Sequence, residues 1–153
     1  MFQLKHFSHE TYKMKLFTSE TQKIGEIGEE IACKYLKNKG FTVFERNFTK
    51  KAGEIDIVAN KDGELHFFEV KSVSRENNVS IETYAQVSRE TFRPEENMTF
   101  HKMRKLSRIT QIFLAKHKEF ADMDFYWNIL AIELNQKTRM ARVRMIEKVN
   151  ITE

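Results

Sequence analysis

Two short stretches of the chain place charged residues where a β-strand normally carries apolar ones. The first is Gly-Glu-Ile-Asp-Ile-Val at 53–58, and the second is Phe-Glu-Val-Lys at 68–71. The interior of a strand disfavours charge, so Asp56, Glu69 and Lys71 need a reason to be there. One reason is chemical: the two carboxylates hold a divalent metal against a phosphate, with the ammonium beside them. A metal-dependent nuclease requires this arrangement.

Magnesium prefers hard oxygen ligands and keeps several of its waters, so two protein carboxylates are enough to hold it. We therefore predict Asp56 and Glu69 as ligands of Mg²⁺, with Mn²⁺ as a substitute, and the backbone carbonyl of Val70 as a third ligand. Glu69 and Lys71 are two residues apart on a strand and point to one face. The Lys71 ammonium is then near the attacking water, where it can orient that water or stabilise the pentacovalent state.

The same residues also have a purely structural interpretation, as cross-strand ion pairs on a solvated sheet face. Acidic-x-Lys is common on strands, and alone it is a weak signal of catalysis. Three features strengthen the catalytic interpretation. Gly53 precedes the acidic strand, apolar residues flank the charges, and Glu29 lies upstream at the edge of the apolar face of a predicted helix.

Hydrophobic periodicity predicts the elements that must position these residues. Ile24, Ile27, Ile31 and Tyr35 recur at helical spacing and predict an amphipathic helix over 22–39. The remaining predictions are strands over 41–48, 54–60 and 65–73, a helix over 99–119, and strands over 125–134 and 138–146. Strands 54–60 and 65–73 should form an antiparallel hairpin, and the alternating strand 138–146 should lie at a sheet edge.

This order, α-β-β-β-α-β-β, predicts an α/β fold with a mixed sheet of about five strands flanked by helices. The 153 residues suffice for one domain, which we place at 22–153 after an N-terminal extension at 1–21. The polar segment 74–98 is long for a loop in a compact domain, which makes it a candidate functional segment.

Composition limits the classes of function. No apolar run is long enough to span a bilayer, and the N-terminus lacks a signal-peptide core, so we expect a cytoplasmic protein without membrane contact. The formal net charge is +4, and the C-terminal half is the basic part. A basic half suits a polyanion such as DNA. The candidate phosphate-binding residues are Lys102, Arg104, Lys105, Arg108, Arg142 and Arg144.

The motifs together resemble two nested families. Asp56 followed by Glu69-x-Lys71 resembles the acidic motif of the PD-(D/E)XK superfamily, which has the restriction-endonuclease-like fold. Segments 25–32, 40–41, 46–47, 53–56 and 68–71 resemble the bacterial YraN-like family of predicted endonucleases, which are similar to archaeal Holliday junction resolvases. The resemblance covers about residues 22–134. It implies that Asp56 and Glu69 are metal ligands, Lys71 the catalytic lysine and Glu29 a helix-borne catalytic acid.

The sequence thus predicts a magnesium-dependent endonuclease that acts on structured or branched DNA. Resolvases of this kind work as dimers because a junction has two symmetric cleavage positions, so a homodimer is expected as well. Two alternatives remain open. One is a nucleic-acid-binding module of the same fold that has lost catalysis, which carboxylates tied into salt bridges would favour. The other is an interaction protein whose basic patches meet an acidic partner.

Overall fold

Among the residues that the structure describes, a six-stranded mixed sheet with one α-helix on each face carries the charged stretches. The computed structural model describes residues 10–13, 21–75, 100–149 and 151. The elements are β1 Glu10–Lys13, α1 Thr21–Asn38, β2 Thr42–Lys50, β3 Gly53–Lys61, β4 Glu64–Arg75, α2 Phe100–Lys116, β5 Phe125–Asn135 and β6 Met140–Val149. The strand order is β1-β6-β5-β4-β3-β2. From residue 21 onward the elements follow the predicted order, and the α/β class is confirmed.

Only the pair β4–β5 is parallel, and the other neighbours in the sheet are antiparallel. A parallel pair requires a long crossover connection, and α2 lies in the connection between these two strands. The predicted hairpin is confirmed as β3–β4, joined by a turn in which Asp62 and Gly63 both have positive φ. This hairpin contains the whole predicted acidic motif.

On the far side of the sheet the structure adds one strand to the predicted set, and one predicted strand position is wrong. Strand β1 lies within the predicted N-terminal extension and pairs with β6, so the sheet has six strands. For the same reason β6 is an interior strand, and the edge position predicted for 138–146 is wrong. The alternation of buried and less buried residues predicted for this strand is confirmed, since Ala141 and Val143 are buried and Arg142 and Arg144 are less buried. Most of the predicted loop 74–98 lies outside the described residues.

The two faces of the sheet bury separate apolar clusters. On the α1 side the cluster includes Ile31, Leu36 and Phe68, and on the α2 side it includes Phe67 and Ile109. Consecutive residues of β4, Phe67 and Phe68, are thus both fully buried on opposite faces. Side chains alternate along a strand, so Glu69 and Lys71 share the face of Phe67, which is the α2 side. None of the described helices is long and apolar enough to cross a membrane.

Candidate active site

The acidic motif lies where β3 and β4 separate. The last paired residues of the ladder are Ile57 and Phe68, and Asp56 and Glu69 come next on their strands. Beyond that point the backbone N–H of Val70 donates to Asp56 Oδ2 at 2.7 Å. A carboxylate therefore replaces a strand carbonyl as the acceptor, which fixes Asp56 across the gap from β4. Val70 contacts the site through its N–H, and its predicted role as a carbonyl ligand stays a prediction.

The carboxyl group of Asp56 is in an unfavourable place for a negative charge. Burial raises its pKa from 3.8 to about 6, against the opposing effect of the Val70 hydrogen bond. The charges of Glu54, Glu69 and Glu29 raise the pKa further. An acidic group that is costly to ionise in the free protein is a favourable partner for a cation.

Glu69 is surrounded by cations. Its Oε1 lies 3.2 Å from Lys71 Nζ and also contacts Lys102 Nζ, which comes from the first turn of α2. Its Oε2 is buried and has no hydrogen-bond partner in the part of the chain that is described. Buried polar atoms are usually paired, so this carboxylate oxygen keeps lone pairs with which it can bind a cation.

Lys71 is held in its charged form. Burial alone would lower the pKa of Lys71, but the Glu69 carboxylate, with a smaller contribution from Asp56, raises the pKa above its ordinary value. An ammonium that keeps its proton at neutral pH can stabilise negative charge, and it does not act as a general base.

Glu29 belongs to α1, which packs on the face of the sheet opposite α2. Its Oε2 accepts from Asn47 Nδ2 at 3.1 Å and lies 3.4 Å from Arg46 Nη2, so β2 fixes the acid that α1 carries. Asn47 has φ 52°, a left-handed conformation that asparagine tolerates better than most residues. Glu29 adds to the negative potential at Asp56, and no contact between the two side chains is described.

Helix α1 approaches β4 very closely beside Glu29. A Cβ added at Gly28 would lie 1.8 Å from Ser72 Oγ and 2.9 Å from Ser72 Cβ. Ser72 Oγ is buried, without a hydrogen-bond partner among the described residues. Only glycine fits at this crossing, and the crossing sets how far Glu29 lies from the sheet.

A basic groove runs along the outer face of α2. It has a volume of about 530 Å³, and its cationic lining consists of Lys51, Arg104, Lys105 and Arg108, with His101 beside them. Three of the six predicted phosphate-binding residues therefore share one groove. Lys102 does not line it, because it lies on the inner side of the helix and contacts Glu69.

Arg142 and Arg144 do not line this groove. Both are on β6, where Arg142 pairs in register with Glu133 and Arg144 with Ala131. Both are partly buried, and both make contacts of their own. Of the six predicted cations, Lys102, Arg142 and Arg144 are thus not among the described residues that line the groove.

The comparison with known proteins identifies the family. The profile described as "Uncharacterised protein family UPF0102" matches residues 28–146. The chain belongs to UPF0102. UPF0102 proteins from Desulforamulus reducens and Campylobacter fetus are 33 % and 36 % identical to it over 125 and 123 residues. These matches cover 81 % and 80 % of this chain and 92 % and 89 % of the relatives.

The match from residue 28 to residue 146 includes every residue predicted for the site, so these residues belong to the part shared with the UPF0102 family. The family description names no activity. Membership in UPF0102 confirms the resemblance to the YraN-like family, and the endonuclease activity and the PD-(D/E)XK superfamily stay predictions.

Three contributions to the site were missed by the sequence analysis. Lys102 was grouped with the outer cations, although it is four residues before buried Leu106 and seven before buried Ile109, the spacing of the inner stripe. Lys51 was not predicted, because its position in the groove depends on packing of the β2–β3 turn against α2. The roles of Arg46 and Asn47 in holding Glu29 depend on contacts between elements, for which the sequence has no periodic signal.

Proposed function

We propose that this UPF0102 protein is a metal-dependent endonuclease that hydrolyses phosphodiester bonds in DNA, with structured or branched DNA as its substrate. The observation that carries the proposal is that Asp56, Glu69 and Lys71 come together where β3 and β4 part: the Val70 N–H, between Glu69 and Lys71, donates to Asp56, and Glu69 pairs with Lys71. A basic groove on the adjoining helix supplies the surface that a polyanion needs.

The residues present fit a divalent cation. Among the described residues no group of three or more His, Cys, Asp or Glu side chains could hold a metal, so a zinc-type site is not supported there. Two carboxylates suit magnesium, which binds through few protein ligands and keeps its waters. The unpaired Oε2 of Glu69 and the raised pKa of Asp56 both indicate a site that a cation would stabilise.

Each residue has a distinct role in this proposal. Asp56 and Glu69 would hold the cation, which when bound supplies Lewis-acid stabilisation of the phosphate and activation of a water. The Val70 N–H keeps the Asp56 carboxylate oriented. Lys71 stays protonated and stabilises the charge that develops on the phosphate. Glu29, held by Arg46 and Asn47, adds negative potential at Asp56.

The groove predicts how DNA binding depends on salt. The slope of log Kobs against log[KCl] is negative, and each phosphate contact that is lost reduces its magnitude by about 0.9, so Lys105→Ala combined with Arg108→Ala should reduce the magnitude by about 1.8. Fluorescence anisotropy of a labelled duplex in EDTA measures this without cleavage. Lys34→Ala combined with Lys37→Ala is the matched control, since it removes the same charge from exposed positions of α1. An equal change in both pairs would mean that net charge, and not the groove, controls binding.

A catalytically silent nucleic-acid-binding protein is the second candidate, and one observation favours it. Glu69 is engaged in ion pairs with Lys71 and Lys102, as expected if the site had lost its metal function. Asp56 differs, because the contact described for its carboxylate is a backbone hydrogen bond and no ion pair of it is among those described. The silent alternative accounts for the pairing of Glu69 but gives no reason for a carboxyl group buried among other acids.

Cleavage assays separate the two candidates. Purified protein is incubated with a four-way junction, linear duplex, single-stranded DNA and RNA, each with Mg²⁺, Mn²⁺ or EDTA. We expect cleavage of the branched DNA with either metal and none in EDTA. Binding of DNA without cleavage of any substrate under any of these conditions would support the silent alternative.

A further inference from the structure

Glu69 has more positive charge around it than one carboxylate needs. Lys71, two residues along the same strand, already balances it. The second ammonium, from Lys102, reaches the same Oε1 from α2, and the side chain of Lys102 is only 25 % exposed. Removing a lysine from water and placing it beside another ammonium is costly unless the pair of cations serves a purpose.

We propose that Lys102 is an internal counter-ion of Glu69, which pairs with Oε1 and leaves the carboxylate when a divalent metal binds. This inference rests on the proposed function, because it assigns Glu69 as a metal ligand. Lys102 is then a positioning residue, which keeps the buried carboxylate in place until the cation arrives.

The charges around Glu69 decide which ammonium leaves. A dication at Glu69 in addition to two ammonium groups would place four positive charges around a site with two carboxylates. Lys71 is attracted by both Glu69 and Asp56 and is tethered to the strand that carries Glu69. Lys102 is attached to another element, so its side chain can move away without changing the sheet.

The groove provides a destination for the displaced ammonium. Lys102 directly follows His101 and is two and three residues before Arg104 and Lys105, all three of which line the groove. A lysine side chain that swings from Glu69 towards the outer face of α2 comes to the end of the surface proposed to bind phosphates. Metal binding would thereby add a cation to the nucleic-acid-binding surface.

Binding of Mn²⁺, followed by the electron paramagnetic resonance signal of the free ion at pH 8, tests this exchange without any cleavage reaction. If Lys102 competes with the metal, Lys102→Met should tighten Mn²⁺ binding at least about tenfold, which is about 1.4 kcal/mol. Lys105→Met is the control for the general loss of one positive charge on α2, and it should change the affinity less than about threefold. Lys102→Arg keeps the charge and should bind Mn²⁺ about as the wild type does.

Thermal unfolding gives a second readout. In EDTA, Lys102→Met should melt below the wild type, because buried Glu69 loses one of its two cations. The same excess of Mn²⁺ should raise the melting temperature of Lys102→Met more than that of the wild type, because at a fixed ligand concentration the stabilisation of the folded state grows with the logarithm of the affinity. If Lys102→Met does not fold in EDTA, Lys102→Gln is used in both measurements.

The outcomes are distinguishable. If Lys102→Met binds Mn²⁺ no more tightly than Lys105→Met, the counter-ion role is wrong while the metal site stands. If neither the wild type nor any variant binds Mn²⁺, the metal centre of the proposed function fails, and this inference fails with it.

Discussion

Replacing Asp56 by asparagine is expected to reduce metal-dependent DNA cleavage by at least about a thousandfold, which corresponds to about 4 kcal/mol of transition-state stabilisation. The amide has the shape of the carboxylate and keeps an oxygen that can accept from the Val70 N–H. It lacks the negative charge that a divalent cation requires. DNA binding in EDTA should stay close to that of the wild type, because Asp56 does not line the basic groove.

Asp62→Asn is the matched control for this substitution. Asp62 is exposed in the β3–β4 turn with φ 52°, and asparagine tolerates that conformation as well as aspartate does. The chemical change is identical and the hairpin is the same, but the position is remote from the site. Cleavage by Asp56→Asn at the rate of Asp62→Asn would reject the assignment of Asp56 as a metal ligand.

The same variant should be more stable than the wild type at alkaline pH. In the folded protein the pKa of Asp56 is about 6, raised from 3.8, so the folded state binds this proton more tightly than the unfolded chain does. The stabilisation by the protonated group is fully present below pH 4 and is lost as the pH rises through 6. The loss amounts to about 2–3 kcal/mol, and asparagine, which does not ionise, avoids it.

Urea unfolding in EDTA at pH 8 and at pH 4 measures this difference. We expect Asp56→Asn to have the higher free energy of unfolding at pH 8 and to be close to the wild type at pH 4. Asp62→Asn should match the wild type at both values. A destabilised Asp56→Asn at pH 8 would show that ionised Asp56 is well solvated or already paired, contrary to its burial among acids. The combination of lost cleavage and gained stability is typical of a residue kept for function.

The sequence predicted how the three central residues of the candidate site are placed, because their arrangement depends only on segments that are close together along the chain. Asp56, Glu69 and Lys71 belong to one hairpin, in which the turn sets the register and strand alternation sets the face. Once the hairpin is assigned, the two carboxylates must lie at the same level on neighbouring strands. The distance between them along the chain is only 13 residues, so no knowledge of the rest of the fold is needed.

The parts that were missed all depend on contacts between distant segments. Strand β1 has four residues, too few to show a period, and it is a strand only because β6 offers a partner. Lys102 contacts Glu69 because of how α2 is rotated about its own axis. The rotation that buries Leu106 and Ile109 also turns Lys102 towards the sheet. The sequence prediction placed Lys102 with Arg104 and Lys105 because all three are positively charged, and charge alone does not show which side of the helix a residue is on.

Gly28→Ala should destabilise the fold and weaken cleavage, although it adds only one methyl group. The new Cβ would meet Ser72 Oγ at 1.8 Å and Ser72 Cβ at 2.9 Å. A change of the Ser72 rotamer relieves the first contact but not the second, so α1 must move away from the sheet. Overpacking of this kind costs about 1–3 kcal/mol of folding free energy. It also displaces Glu29, the next residue, from Arg46 and Asn47, so we expect cleavage by the folded variant to fall at least about tenfold.

Gly25→Ala is the control for the helix itself. Gly25 is exposed on the same helix, and a Cβ there would meet nothing within 4 Å. Alanine in a helix interior is more favourable than glycine by about 0.5–1 kcal/mol, so this variant should be more stable than the wild type and cleave DNA normally. Equal stabilities of Gly28→Ala and Gly25→Ala would show that the close crossing of α1 and β4 does not constrain the fold.

A double-mutant cycle assigns the effect to the crossing. Ser72→Gly removes both atoms that the new Cβ would meet, although glycine weakens a strand by about 1 kcal/mol. If steric contact with Ser72 is the cause, Gly28→Ala should cost at least about 1 kcal/mol less in the Ser72→Gly background than in the wild type. Cleavage should recover in parallel, because α1 returns to its distance from β4 and Glu29 to its contacts with β2. Additive losses of stability and activity would instead mean that Gly28 is needed for some feature of α1 other than its approach to Ser72.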